Sequence, residues 1–215
     1  SILAATERAG ELTRQLLAYS GKGRFVIEAV DLSQAVTEIA SLLRVSISKK
    51  INLSFELAQG LPRCEADVSQ LRQILINLLT NAADAIGDNV GSITLATGSV
   101  MADRDYLGHT WLDEDLPEGQ YVWVVLSDTG AGMDAETQNH MFDPFFTTKP
   151  MGQGTGLSAT LGIVRGHRGA IRVYSEPGRG TTIKVMFPAL TAGAPRPGNG
   201  AKPVSMARPL GTILV

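Results

Sequence analysis

The sequence has 215 residues, of which 44% are hydrophobic, and this length predicts one ordinary globular domain with appended segments. Its formal net charge of −2 excludes the strongly basic surface typical of proteins that bind nucleic acids, so no nucleic-acid partner is expected. A single cysteine, Cys64, excludes a disulfide framework, and no apolar run reaches the ~18 residues of a membrane-spanning helix. We therefore predict a cytoplasmic chain and leave open whether a longer parent protein is anchored in a membrane.

Residues 1–20 predict an amphipathic helix. Its apolar residues recur at helical spacing, namely Ile2, Ala5, Ala9, Leu12, Leu16 and Tyr19. The helix is either an ordinary surface helix or one half of a helical hairpin. Residues 21–28 contain two glycines and predict a linker.

A domain is predicted over residues 29–190. Asp31 and Asp67 each begin a predicted helix with the Asp-x-x-Gln form of a capping box, and a further helix is predicted over Leu157–His167. Alternating apolar residues predict strands at INLSFEL, RCEA, GSITLATGSV, QYVWVVLSD, AIRVYSE and GTTIKVMFP, the last two as a hairpin through PGRG. The stretch from Ala102 to Gly119 is predicted as a polar loop. Helices mixed with antiparallel strands predict an α+β fold, a two-layer α/β sandwich.

The composition changes after the last predicted strand. Residues 191–210 are rich in Pro, Gly and Ala and predict a linker. Residues 211–215, GTILV, have the character of a strand again.

The predicted helix that starts after Asp67 carries a polar stripe beside its apolar face. The stripe recurs at spacings of three and four residues and consists of Gln70, Gln73, Asn77, Asn81 and Asp84. Asparagine is a poor helix former, and its carboxamide oxygen suits Mg²⁺, which takes oxygen ligands. The alternative is an ordinary solvated helix face, and the helix alone does not decide between them.

Two further stretches suit a nucleotide. In DTGAGM, Asp128 ends a predicted strand beside glycines and can accept a hydrogen bond from an exocyclic amine such as that of adenine, although a plain Asp-Gly turn has the same residues. In FDPFFTTKPMGQGTGLSAT, glycines alternate just before a helix, where backbone N–H groups bind phosphates, and Lys149 adds a positive charge. A glycine series alone is a weak signal.

The order of these motifs is specific. An asparagine helix, Asp-x-Gly-x-Gly, FDPFF and Gly-x-Gly-x-Gly-Leu resemble the N, G1, F and G2 boxes of the ATP-binding domain of histidine protein kinases. That family shares a Bergerat-type fold with gyrase, Hsp90 and mismatch-repair ATPases. ERAGELTRQLLAYS resembles the second helix of the family's dimerisation hairpin. GTILV resembles the first strand of a truncated receiver domain, which implies a hybrid kinase.

The resemblance implies ATP and Mg²⁺ as cofactors and assigns roles to residues. Asn81 is implied as the metal ligand, Asp128 as the reader of adenine, and Asn77, Asn81 and Lys149 as catalytic residues. The other implied nucleotide-binding residues are Asp84, Gly130, Gly132, Phe142, Phe145, Phe146, Thr148, Gly152, Gly154, Thr155, Gly156 and Leu157. Thr155 stands where the family usually has leucine. Residues 142–156 are implied to form a lid that ATP orders.

The implied activity is transfer of the ATP γ-phosphoryl group to a histidine on a dimerisation domain absent from this chain. Implied partners are that domain, a receiver domain or response regulator, and a second copy in a homodimer of the full-length parent. His109, His140 and His167 lack the context of a phosphoacceptor and are predicted to be surface histidines. The alternatives are a hydrolytic ATPase of the same fold, which needs a glutamate where this chain has Asn77, and a non-catalytic nucleotide-sensing module.

Overall fold

The computed structural model describes residues 26–43, 47–112, 116–149 and 154–190. The predicted helix over 1–20, most of the linker over 21–28, Gly152, the linker over 191–210 and the strand over 211–215 lie outside the described residues. Among the described residues, no helix is both long and apolar enough to cross a membrane.

A five-stranded sheet forms one layer, in the order β2–β4–β5–β7–β6. Its strands are β2 (Ile51–Leu57), β4 (Gly91–Ala102), β5 (Gly119–Asp128), β6 (Ala170–Glu176) and β7 (Gly180–Pro188). A small antiparallel pair, β1 (Glu28–Val30) and β3 (Cys64–Ala66), lies apart from it. The predicted hairpin between β6 and β7 is confirmed.

The pairing of β2 with β4 is parallel, whereas we predicted antiparallel strands throughout. A long helix, α2 (Val68–Ile86), lies between the two strands in the sequence and returns the chain to the same end of the sheet. Such a crossover is what makes parallel neighbours possible.

Three helices form the second layer: α1 (Leu32–Leu43), α2 and α5 (Gly156–Gly166). Buried apolar side chains of α2, including Leu71, Leu75 and Leu78, pack in one core with inward residues of the sheet such as Val122 and Phe187. The predicted α+β two-layer sandwich is therefore confirmed.

Both predicted helix starts are confirmed, but only half of each capping box forms. Asp67 accepts from the backbone N–H of Ser69 (2.8 Å) and Gln70 (3.3 Å), and Asp31 accepts from that of Gln34 (3.0 Å). The Gln34 side chain donates instead to Glu38, and Gln70 Oε1 is buried without a hydrogen-bond partner. The aspartate side chains therefore cap the helices, and the glutamine side chains do not form the return hydrogen bond to the cap residue.

Two short helices correct the sequence prediction. The predicted loop between β4 and β5 contains α3 (Arg104–Gly108), which Asp103 caps by accepting from Tyr106 N–H at 2.8 Å. Leu107 of α3 packs in a second, smaller apolar cluster with Tyr121 and other residues. Because Tyr121 neighbours inward-facing Val122 along β5, this cluster lies on the opposite face of the sheet from α2. The second is α4 (Ala135–His140), which follows Asp134.

His167 is buried, which makes the prediction of a surface histidine wrong for this residue. Its Nε2 accepts from Asp67 N–H at 3.0 Å, and its Nδ1 lies 2.8 Å from the Ile163 carbonyl oxygen. Because Nε2 accepts a hydrogen bond, the ring proton lies on Nδ1, which then donates to the Ile163 carbonyl oxygen. His109 and His140 are exposed, as predicted.

Candidate functional site

The polar stripe of α2 faces away from the core. Asn77 and Asn81 are half-buried and Asp84 is exposed, while the apolar face of the same helix is almost fully buried. Asn77 faces the first turn of α5, and Asn81 and Asp84 face Lys149. These three residues therefore line a candidate site between elements that are distant in the sequence.

Asn77 joins α2 to α5. Its Nδ2 donates to the Gly156 carbonyl oxygen at 2.9 Å and lies 3.4 Å from Thr160 Oγ1. Its Oδ1 accepts from Gln73 at 2.9 Å. Because both polar atoms of the carboxamide are engaged within the protein, Asn77 holds the start of α5 in this structure. The sequence did not indicate Thr160, which is fully buried and itself donates to the Gly156 carbonyl oxygen.

Asn81, Asp84 and Lys149 come together. Lys149 Nζ lies 2.8 Å from Asn81 Oδ1 and 2.7 Å from Asp84 Oδ2, across 68 and 65 residues of sequence. Two oxygens on successive turns of α2 thus converge on one positive charge. Mg²⁺ binds oxygen ligands, so the Asn81 and Asp84 oxygens fit the metal that the motif implies. In this structure the Lys149 ammonium group lies against the same two oxygens.

Asp128 ends β5 and is 9% exposed. Its Oδ1 accepts from the backbone N–H groups of Gly130 (2.8 Å) and Thr181 (3.3 Å), whereas Oδ2 has no hydrogen-bond partner among the described residues. Burial raises the pKa of the Asp128 carboxyl, against the opposite effect of these two donors. The carboxyl is therefore held rigidly by one oxygen, with the other available to a ligand.

The glycines after Asp128 are required by packing. A Cβ atom on Gly130 would lie 2.7 Å from the Ala85 backbone, and one on Gly132, where φ is +66°, would collide with the Glu176 carbonyl oxygen. The loop is tied down on both sides, because Ala131 N–H donates to Ala85 and Ala131 accepts from Gly178 N–H. The resemblance implied that these glycines make room for a nucleotide, and the structure adds that only glycine fits against the protein itself.

Two polar residues that the sequence did not indicate hold the same loop. Ser175 Oγ accepts from Met133 N–H at 2.9 Å, and the Gln138 side chain donates to the Met133 and Ser175 carbonyl oxygens at 3.1 Å. Ser175 is buried on an inward position of β6. A serine on the apolar face of a predicted strand is the signal that could have identified it.

The three phenylalanines of FDPFF have different environments. Phe142 is buried against Trp111, with ring centroids 5.3 Å apart, and Phe146 lies against His140 at 5.7 Å. Phe145 is 59% exposed and has a φ of +70°. Its N–H donates to the Gly154 carbonyl oxygen at 2.9 Å, so the aromatic and glycine motifs meet. Phe142 belongs to the core rather than to an open site.

The remaining predicted residues lie at the start of α5 or near Lys149. Gly156 faces Asn77 and Asn81, and Leu157 packs against the core. Thr155 precedes α5 without a side-chain capping bond, while its carbonyl oxygen accepts from Ser158. Thr148 is exposed.

Comparison with known proteins identifies the relatives of this chain. The family model described as histidine kinase-, DNA gyrase B-, and HSP90-like ATPase matches residues 66–191. Sensor kinase CckA of Brucella abortus (strain 2308) is 39% identical over 85% of this chain and 19% of its own length. Signal transduction histidine-protein kinase AtoS of Escherichia coli (strain K12) is 31% identical over 87% of this chain and 28% of its own. The chain thus spans less than a third of either relative.

Solved structures share the fold. Full-length ShkA, in complex with AMPPNP, superposes with a TM-score of 0.66 at 23% identity over 89% of this chain and 38% of its own. The nucleotide-free catalytic domain of histidine kinase ThkA gives 0.59 at 28% identity over 76% of this chain and 95% of its own. The chain belongs to the histidine kinase-, DNA gyrase B-, and HSP90-like ATPase family, and it contains an ATP-binding catalytic domain homologous to those of sensor histidine kinases.

Proposed function

We propose that this chain binds ATP with Mg²⁺ and transfers the γ-phosphoryl group to a histidine on a dimerisation domain that lies outside residues 26–190. The observation that carries the proposal is the convergence of Asn81, Asp84 and Lys149 beside the loop of Asp128. Ala85, which follows Asp84 directly, accepts the loop's hydrogen bond from Ala131 at 3.0 Å. A group that recognises a base and a group that binds cations and phosphates therefore lie on neighbouring elements.

Each residue has a role in this proposal. Asp128 Oδ2 accepts a hydrogen bond from the exocyclic amine of adenine. Asn81 and Asp84 hold Mg²⁺, which supplies neutralisation of the phosphate charge. Lys149 contacts the phosphates, and the start of α5 directs its backbone N–H groups at them. Phosphoryl transfer depends mainly on positioning and charge neutralisation, which this set of residues provides.

Asn77 argues against the hydrolytic alternative. A carboxamide neither takes nor gives a proton near neutral pH, so the ~10²–10⁴-fold help of a general base is not available to a water molecule there. Both of its polar atoms are also engaged within the protein. The nucleotide-sensing alternative is distinguished from the kinase by phosphoryl transfer alone.

The partners of the proposed kinase follow from its relatives. ThkA has been solved in complex with the response regulator protein TrrA. We propose a response regulator or a receiver domain as the final acceptor for this chain as well, a homodimer for the full-length parent, and a cytoplasmic location for the domain.

Radiolabelled ATP tests the proposal. The chain is incubated alone and with a separately prepared dimerisation domain of the same parent protein, and label is followed as released phosphate and as acid-labile protein phosphate. We expect very slow release by the chain alone and label on the histidine of the added domain, with Asp128→Ala as the inactive control. Rapid hydrolysis without labelled protein would support the ATPase. Binding of ATP with neither reaction would support the sensing module.

A further inference from the structure

We propose that Lys149 is an internal cation that occupies the metal position of the nucleotide-free protein, and that ATP opens the site by drawing this side chain away. We call the contact of Lys149 with Asn81 and Asp84 the lysine latch. The inference rests on the proposed nucleotide site and adds to it a competition between a side chain and the metal.

The geometry of the latch is that of a bound cation. The ammonium nitrogen is within 2.8 Å of Asn81 Oδ1 and 2.7 Å of Asp84 Oδ2, so two of its three hydrogens are directed at oxygens of α2. The segment that carries it is ordered locally, since Lys149 N–H donates to Thr147 Oγ1 at 3.1 Å and Phe145 N–H donates to the Gly154 carbonyl oxygen. The latch therefore ties the segment 145–149 to α2.

The latch and a metal ion exclude one another. A Mg²⁺ ion bound to both oxygens would be in direct contact with an ammonium group bound to the same atoms, and two positive charges at that separation repel strongly. Lys149 must leave before the metal is held by this pair. The phosphates of ATP offer the displaced ammonium group a new anionic partner, so no charge is left unpaired by the exchange.

The latch is weak enough to be opened by a ligand. The Lys149 and Asp84 side chains are 37% and 57% exposed, and ion pairs with that exposure are strongly screened by water. We expect the latch to lower the affinity for nucleotide by about two- to fivefold.

A double-mutant cycle isolates the latch from direct repulsion between Asp84 and the phosphates. The affinity for ATP is measured by calorimetry with EDTA and without Mg²⁺ in the unmodified protein, Asp84→Asn, Lys149→Met and the double variant. We expect Asp84→Asn to raise the affinity for ATP. The gain should be about two- to fivefold larger in the protein that has Lys149 than in the Lys149→Met background. An equal gain in both backgrounds, or no gain, would overturn the proposal.

Hydrogen exchange tests the latch without nucleotide. We expect the backbone amides of residues 145–149 to exchange about two- to fivefold faster in Asp84→Asn and in Lys149→Met than in the unmodified protein. Asp88→Asn is the matched control, because it removes a negative charge near the same end of α2. Asp88 is exposed and accepts from Lys50 through its backbone carbonyl oxygen, so the substitution leaves that hydrogen bond in place.

The two tests separate this proposal from the proposed function. Unchanged exchange in Asp84→Asn would overturn the latch, even if the unmodified protein binds ATP. Failure of the unmodified protein to bind any adenine nucleotide would overturn the proposed function, while the exchange measurement would still decide whether the latch exists.

Discussion

The loop after Asp128 and the segment around Lys149 are held by different kinds of contact. The loop is tied by backbone hydrogen bonds to Ala85 and Gly178, and it leaves no space for a Cβ atom at Gly132. Lys149 is held to α2 by a half-exposed side-chain ion pair. The loop proposed to recognise the base is thus held in place by the protein itself, whereas the segment proposed to contact the phosphates is held by a contact that is easily exchanged.

This difference suits a site that must recognise one base and then rearrange around phosphates. A buried carboxyl that is held by backbone donors requires no ordering when a base binds, so its hydrogen bond is gained at little entropic cost. Long exposed side chains form weak ion pairs that are replaced readily. Substitutions in the first region should therefore have large effects on the free protein, and substitutions in the second region small ones.

The largest expected effect is that of Gly132→Ala. The left-handed φ of +66° costs ~1–2 kcal/mol for alanine, and the collision with the Glu176 carbonyl oxygen adds ~1–3 kcal/mol. Urea unfolding measures the loss. Gly178→Ala is the matched control, because its φ is +76° with no atom within 4 Å of the added Cβ, and we expect a loss of only ~1–2 kcal/mol. Equal losses in the two variants would contradict the packing argument.

Asp128→Ala should have the next largest effect, on binding. Loss of a hydrogen bond to a charged group costs ~1.5–3 kcal/mol, so the affinity for ADP should fall about 10- to 150-fold in titration calorimetry. Asp103→Ala removes a similar carboxylate, at the start of α3 on the opposite face of the sheet, and should leave the affinity unchanged. If Asp128→Ala binds ADP as tightly as the unmodified protein, Asp128 is not the reader of adenine.

Asn77→Ala should have an intermediate effect. It removes the donor to the Gly156 carbonyl oxygen, which Thr160 still satisfies, so we expect the free energy of unfolding to fall by ~1 kcal/mol. Thr80→Ala, on the same helix, loses only bonds to its own helix backbone and should change stability by less than ~0.5 kcal/mol. A neutral Asn77→Ala variant would show that the junction of α2 with α5 does not depend on this side chain.

Lys149→Met should have the smallest effect on the nucleotide-free protein. The exposed ion pair with Asp84 contributes little, so the free energy of unfolding should fall by less than ~1 kcal/mol, in keeping with the two- to fivefold effect expected of the lysine latch. Chemical unfolding without ligand measures it, with Lys50→Met as a second exposed lysine for comparison. A loss above ~1 kcal/mol would place Lys149 among the structural residues and remove the contrast between the two regions.

Local patterns in the sequence were sufficient for most of the helices and strands. Aspartates at helix starts, alternation in strands and the polar stripe of α2 each depend on residues within one turn or one strand, and all of them were confirmed. The order of the four motifs identified the family. The short helix α4 was missed even though Asp134 caps it by accepting from Thr137 N–H, because six residues are too few to show a helical period.

Tertiary structure decided which partners these residues have. His167 meets Asp67 across 100 residues, and Lys149 meets Asn81 across 68, so no local pattern could indicate either contact. No local pattern could indicate the parallel pairing of β2 with β4 either. Nor could it show that Gly130 and Gly132 pack directly against the backbone of other segments, where a Cβ atom would not fit. Local sequence determines backbone conformation through short-range sterics and hydrogen bonds, whereas burial and the choice of an ionic partner depend on what the completed fold brings within contact distance.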